Sequence, residues 1–345
     1  MSYTLSRSGL LDKLLGDPEV EILLSDQADI DAMLRFELAL AKAQNKVGLI
    51  SDISLGAIET AIAAVDFSVA DLTDGVAKDG LVVPALVRAI RASLPESAKA
   101  DFHKGTTSQD LIDSSLMMRL VDVIDIFRQR LDCILDQLDL LSTQDGHLDL
   151  MARTRMQRAL PFTVKDKLDT WAAPLRELRA TIPGDFPLQL GGPIGTLGQM
   201  GDHADEIAKD LAARLGLRHP ARSWHTDRRP LLQFANWSAE LSSSLGKIGQ
   251  DVALMSQNEI LDITITGGGS SSAMPHKNNP VLAEVLVALA HYNATLMGGL
   301  HNAALHENER SGAAWTLEWM LFPQIVTTTG AALKTVASLL SRVKF

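Results

Sequence analysis

The sequence predicts an all-α protein built around long helices that assemble with other subunits, on three observations. From Ser114 the apolar positions Leu116, Leu120, Val123, Phe127, Leu131, Ile134, Leu138 and Leu141 step by three or four, the spacing of one helical face, over roughly 30 residues. A second run, Leu241, Leu245, Ile248, Val252 and Met255, sits in a segment from about Pro230 to Ile263, and a third runs from Pro280 through Leu300. Strand-like alternation is nearly absent. The apolar residues spill onto more than one face of these helices, which predicts a bundle completed by other copies of the chain, since a monomer would expose too much apolar surface.

The elements follow in order. A small helical domain is expected over 1–100: Ser25 caps an amphipathic helix that ends at Gly48, and shorter helices continue to about Leu94. Residues 101–345 then form the long-helix domain. At 345 residues and 46% hydrophobic composition the chain has the length of about two domains and material for a large core. A net charge of −10 without any basic run argues against a nucleic-acid partner. The one cysteine, Cys133, excludes a disulfide framework and a cysteine zinc site; it falls in a leucine-rich helical pattern and is expected to pack inertly. Met1 to Gly9 lacks an apolar signal core, and no apolar run reads as long enough to span a bilayer, so a cytoplasmic protein without a membrane partner is expected.

Chemistry gathers in five stretches. His103-Lys-Gly-Thr-Thr107-Ser108-Gln-Asp110 precedes the long helix, where Thr107 or Ser108 can cap it and its N-terminal N–H groups can meet an anion. Arg153-Thr154-Arg155-Met-Gln157-Arg158 is either a solvated basic face or a carboxylate clamp. Gln189-Leu-Gly-Gly-Pro-Ile-Gly-Thr196 is by itself no more than a tight connection, and Trp224-His225-Thr-Asp-Arg228-Arg229 follows it. Gly267 to Pro280 is glycine- and serine-rich and includes Ser270, Ser271, Ser272, Met274, Lys277 and Asn279; it reads as a linker or as a lid that closes on an anion. Glu284 lies just beyond, where a surface acid at a helix start needs no function. No His, Cys and carboxylate cluster at ligand spacing and no phosphate loop after a strand is present, so neither metal nor cofactor is expected.

In sequence, Ser271 to Pro280 resembles the signature loop of the fumarase/aspartase superfamily, although Ser270 stands where that family usually has Gly. His103 to Asp110 and Arg153 to Pro161 resemble its first two conserved regions, and the helix after Ser25 resembles its opening helix. The glycine loop, the Trp-His-Thr-x-Arg stretch and Arg155, where fumarate-releasing lyases commonly have His, resemble the 3-carboxy-cis,cis-muconate cycloisomerase branch. A guanidinium does not trade protons near neutrality, so Arg155 can stabilise charge but not serve as that acid.

The resemblance implies a fumarase/aspartase-like fold and a cofactor-independent cycloisomerase of aromatic catabolism. Its substrate is a tricarboxylate, and its active sites are shared within a homotetramer. It further implies Ser271, with Ser270 and Ser272 as alternatives, as the acid/base at carbon, and Lys277 and Arg155 as charge stabilisers. Glu284 lies where the superfamily orients its His and is open to an ion pair with Arg155. Substrate contacts are implied for His103, Thr107, Ser108, Arg153, Thr154, Gln157, His225, Arg228, Met274 and Asn279. The chain stops at Phe345, leaving little room for the superfamily's further C-terminal helical domain. Two rival readings are a fumarate-releasing lyase of the same fold and a catalytically silent scaffold.

Overall fold

The computed structural model describes residues 9–66, 68–270, 273–274 and 277–345. The N-terminal helices are α1 (Asp12–Leu15), α2 (Pro18–Leu23), α3 (Asp26–Lys46), α4 (Asp52–Ala63), α5 (Val69–Asp79), α6 (Val83–Ser93) and α7 (Glu96–Lys99). Ser25 caps α3 by accepting the Ala28 N–H at 3.2 Å, and Gly48 follows the helix with φ of +75°, as the side-chain types predict.

Five long helices make the bundle: α8 (Ser108–Asp145), α9 (Val164–Ala180), α11 (Arg229–Met255), α12 (Val281–Ala303) and α13 (Ala313–Leu340). Between α9 and α11, α10 (Ala204–Leu215) packs on α3. Phe127, Phe234 and Phe322 join α8, α11 and α13, with centroids 6.4 Å apart for the first pair and 5.6 Å for the second. Gly249 lets α11 approach α12 closely, since a Cβ there would stand 2.6 Å from the Ala283 carbonyl oxygen. Asn293 of α12 is buried, and its amide nitrogen donates to Ser242 Oγ at 2.7 Å and Thr329 Oγ1 at 3.0 Å, while its Oδ1 is buried without a partner.

These contacts fix direction. Arg228 meets both Asp113 and Glu318, so α8, α11 and α13 start together at one end of the bundle, near the N-terminal helices. Gly249 faces Ala283 while Asn293 bonds Ser242, so α12 runs antiparallel and starts at the far end.

Several expectations need correction. Although the sequence shows almost no strand-like alternation, β1 (Asp149–Thr154) and β2 (Gln157–Thr163) form an antiparallel hairpin at the far end of α8, turning at Arg155 and Met156 with φ of +48° and +67°. The turn has neither Asn nor Gly to announce it, and β2 is largely exposed while β1 is half-buried, so neither strand has a buried face to show as apolar alternation. The second long helix ends at Met255, not near Ile263, because the chain folds back and the Asp262 and Ile263 N–H groups both bond the Met255 carbonyl. Two-residue pairings join β3 (Thr264–Ile265) to β6 (Val343–Lys344) and β4 (Gly269–Ser270) to β5 (Asn278–Asn279). Cys133 is exposed rather than packed, because Leu131 and Ile134 take the core face of α8. Finally, α12 is by length and composition apolar enough to cross a membrane; here it lies between α11 and α13 as a bundle helix, with 39% of its most apolar stretch buried.

Candidate active site

The predicted residues fall into two groups at opposite ends of the bundle. At the near end, Thr107 is the N-cap of α8, and its N–H donates to Asp110 Oδ2 at 3.0 Å. Asp110 is fully buried and gathers other donors. Thr106 Oγ1 reaches Oδ2 at 3.0 Å, the Gly192 N–H reaches Oδ2 at 2.9 Å, and the Gly191 N–H reaches Oδ1 at 2.9 Å. Gln189 Nε2 lies 3.4 Å and His225 Nε2 2.8 Å from Oδ1. One carboxylate thus ties together the helix cap, the glycine loop and the Trp-His-Thr stretch. Gly191 is required at this junction, since a Cβ would come within 2.5 Å of Ser223 Oγ and 2.8 Å of His225 Cε1.

Thr107 and Ser108 remain half-buried, open to a ligand at the positive end of α8. Arg310, not anticipated from sequence, donates to Thr107 Oγ1 and to the Pro193 carbonyl, each at 3.1 Å, and so clamps the cap to the glycine loop. His103 adopts a φ of +59° and holds Glu37, itself 1% exposed, through Nδ1 at 2.5 Å.

Arg228 is corrected from substrate ligand to support. Its guanidinium is 2% exposed, chelates Asp113 through Nη1 at 2.7 Å and Nη2 at 3.0 Å, and reaches Glu318 at 2.6 and 2.9 Å, while lying over the Trp224 ring at 4.8 Å. Burial works to lower the arginine's pKa, but Asp113 and Glu318 outweigh it and hold the group charged; burial pushes the Glu318 carboxyl up, beyond what Arg228 restores.

The far end carries the cationic group. Arg153 pairs with Asp262 and donates to the Met151 carbonyl at 3.2 Å. Thr154 and Gln157 form the last rung of the hairpin, and Arg155 stands exposed at its tip. The Glu284–Arg155 ion pair is absent among the described residues; Glu284 is exposed in the first turn of α12. Ser270 pairs with Asn278, and Gly269 with Asn279, which keeps the signature loop next to α12; the Asn278 side chain donates to the Ile265 carbonyl at 2.6 Å. Lys277 is exposed, and its N–H bonds the Met274 carbonyl at 3.0 Å. Ser271 and Ser272 lie outside the described residues.

The two groups cannot meet within one chain. Thr107 opens α8 and Arg153 follows its end, and 38 helical residues span about 57 Å at 1.5 Å per residue. One end gathers hydroxyls, an imidazole and helix N–H groups, and the other guanidinium, ammonium and amide groups. Among the described residues no three His, Cys, Asp or Glu side chains stand together as metal ligands.

A family model described as lyase matches residues 16–292. The chain is 34% identical to a 3-carboxy-cis,cis-muconate cycloisomerase from Bradyrhizobium diazoefficiens, over 96% of this chain and 76% of that protein. It is also 34% identical to one from Pseudomonas putida, over 94% and 79% respectively. The crystal structure of a 3-carboxy-cis,cis-muconate lactonizing enzyme from Pseudomonas putida superposes with a TM-score of 0.90 at 32% identity, covering 98% of this chain and 77% of that one. The chain therefore belongs to the lyase family and has the all-α fold of the fumarase/aspartase superfamily.

Proposed function

We propose that the chain is a cycloisomerase that converts 3-carboxy-cis,cis-muconate to 4-carboxymuconolactone, in the β-ketoadipate route of aromatic catabolism. Similarity to proteins of that name over nearly the whole chain supports the assignment. The residue that carries it is Arg155, which stands at the hairpin tip where the sequence resemblance implies an imidazole in fumarate-releasing lyases.

In this reaction one substrate carboxylate adds to a double bond of its own molecule. The π pair moves to the carbon beside another carboxylate, and that carbon takes a proton. Charge grows on an enediolate-like carboxylate, so the site needs cations and N–H donors positioned for it. Lys277, Asn279, Arg153 and Arg155 supply them from the far end, with Thr154 and Gln157 beside them, while Thr107, Ser108, His103 and the α8 N-terminus hold the remaining carboxylates. The nucleophile belongs to the substrate, so the protein's share is folding the diene and stabilising charge, without redox change or cofactor. Resemblance gives the proton transfer at carbon to Ser271.

Because the halves sit at opposite ends, we propose a cytoplasmic homotetramer in which the near end of one subunit faces the far end of another. The test of the activity is incubation with 3-carboxymuconate, and separately with adenylosuccinate and argininosuccinate, following ultraviolet absorbance and identifying products by NMR. A lactone from the first substrate alone is expected; fumarate from either of the others would replace this reading with the lyase.

A further inference from the structure

The signature loop is rooted in two short antiparallel ladders. The outer one pairs Thr264 and Ile265 with Lys344 and Val343, and the inner one pairs Gly269 and Ser270 with Asn279 and Asn278. Between the ladders lie Gly267 and Gly268. Gly268 is fixed by crowding, since a Cβ there would stand 2.0 Å from Asn278 Oδ1. Gly267 has room instead: its φ is +66°, and apart from its chain neighbours the nearest atom to a Cβ would be Arg342 Nη1 at 4.0 Å. A glycine at positive φ with space around it is the loosest point of a backbone, so the direction of the chain here depends on what holds its peptide groups.

Arg342, just past the end of α13, holds them. Its Nη1 donates to the Gly267 carbonyl at 3.1 Å, while its own carbonyl accepts from the Thr266 N–H at 2.9 Å and from Thr266 Oγ1 at 3.2 Å. Arg342 makes no ion pair among the described residues, so its guanidinium is given to this backbone carbonyl, and a charged donor makes the stronger kind of hydrogen bond. The segment that carries it is firmly seated: Val343 is 5% exposed in the core, and the Phe345 ring lies 6.4 Å from that of Trp171, itself 1% exposed.

We propose that Arg342 is a positioning residue for the reaction: by holding the Gly267 carbonyl it fixes the peptide that joins the two ladders, and with it the placement of Lys277 and Asn279 toward the substrate. Its own contacts are with the root of the loop, so it acts through the backbone and not on the reacting atoms. Asn278 supplies a second tie, donating to the Ile265 carbonyl at 2.6 Å, which keeps the inner ladder near the outer one when Arg342 is lost. Loss of Arg342 therefore shifts the inner ladder without detaching it. Charge stabilisation is sensitive to such a shift, since a displacement of about 1 Å can cost about 100-fold in rate.

This inference rests on the proposed cycloisomerase reading, and the experiment separates the two. Arg342→Met keeps an apolar stem but loses the donor, and Arg342→Lys restores one. Amide hydrogen exchange of the full-length protein, followed by mass spectrometry, needs no substrate. Peptides covering 264–270 and 278–284 should exchange about 10- to 100-fold faster in Arg342→Met, the scale of losing one hydrogen bond to a charged group, while the rest of the chain exchanges as in the wild type. In kinetics with 3-carboxymuconate, Arg342→Met should lose about 10- to 100-fold in kcat/KM, mostly in kcat, because the displaced groups act on charge that grows in the transition state. Arg342→Lys should regain part of both, with the urea midpoint of all three proteins unchanged. Wild-type exchange at the loop root or a wild-type kcat in Arg342→Met overturns the inference, as does a loss spread over the whole chain or not regained by Arg342→Lys. Should Arg342→Met fail to fold, Arg342→Gln, with its shorter side chain, must show the same local loss. Failure of the wild type to convert 3-carboxymuconate overturns the underlying reading instead.

Discussion

Arg155 and Arg228 are both guanidinium groups in recognised motifs, and the structure gives them opposite environments. Arg155 is exposed at a turn with φ of +48°. Lys and Leu share the same backbone cost there, so substitutions report on the side chain alone. Arg155→Leu should lose roughly 2 to 4 kcal/mol of transition-state stabilisation in kcat/KM while Arg155→Lys keeps part of the rate. A wild-type rate in Arg155→Leu would make the residue a bystander. Arg228, by contrast, is one cation between two buried carboxylates. Arg228→Met strands both and should cost about 3 to 5 kcal/mol of stability. The Glu318 carboxyl is raised in the folded protein, so its contribution is fully present below its ordinary unfolded pKa and is lost as pH rises through the raised value. Urea unfolding at fixed protein concentration should accordingly show a larger loss for Arg228→Met at about pH 8 than at about pH 5.5.

Among the elements, α12 shows what the bundle leaves uncovered. Its outward face carries Glu284, Ala288, His291, Thr295 and Gly298 at helical spacing, small or polar residues on an otherwise apolar helix. Covering this face by another copy of the chain predicts that Ala288→Arg with Thr295→Arg dissociates the oligomer; sedimentation velocity should then show a smaller particle, and an unchanged one would place the interface elsewhere. The helices with a clean three-four apolar period, α8, α11 and α12, are legible in the sequence because one continuous face is buried. The last helix, α13, is not, because Thr327, Thr328 and Thr329 occupy buried positions and break the apolar period; Thr327 and Thr329 satisfy their hydroxyls on carbonyls one turn back. The hairpin hides for a different reason: within one chain its second strand is largely exposed and its first only half-buried, and its turn lacks the residues that favour positive φ. At the site, Thr107 as a cap follows from local side-chain chemistry, whereas Asp110 as the junction does not. Its partners Gly191, Gly192 and His225 lie 81, 82 and 115 residues along the chain, and no local pattern announces such a meeting.

For the whole molecule, the governing fact is the length of α8. With about 57 Å between the hydroxyl and imidazole group and the cationic group, the proposed activity requires the near end of one subunit to meet the far end of another. The most direct test mixes two variants, one damaged at each end, Thr107→Ala and Lys277→Met, each of low activity when assayed alone. The subunits are dissociated and reassociated together, and hybrid formation is verified by native mass spectrometry. In a shared site, a subunit with intact Thr107 meets a neighbour with intact Lys277, so the hybrids should regain a substantial part of the turnover of 3-carboxymuconate. Hybrids that form but stay as inactive as their parents would contradict the shared site.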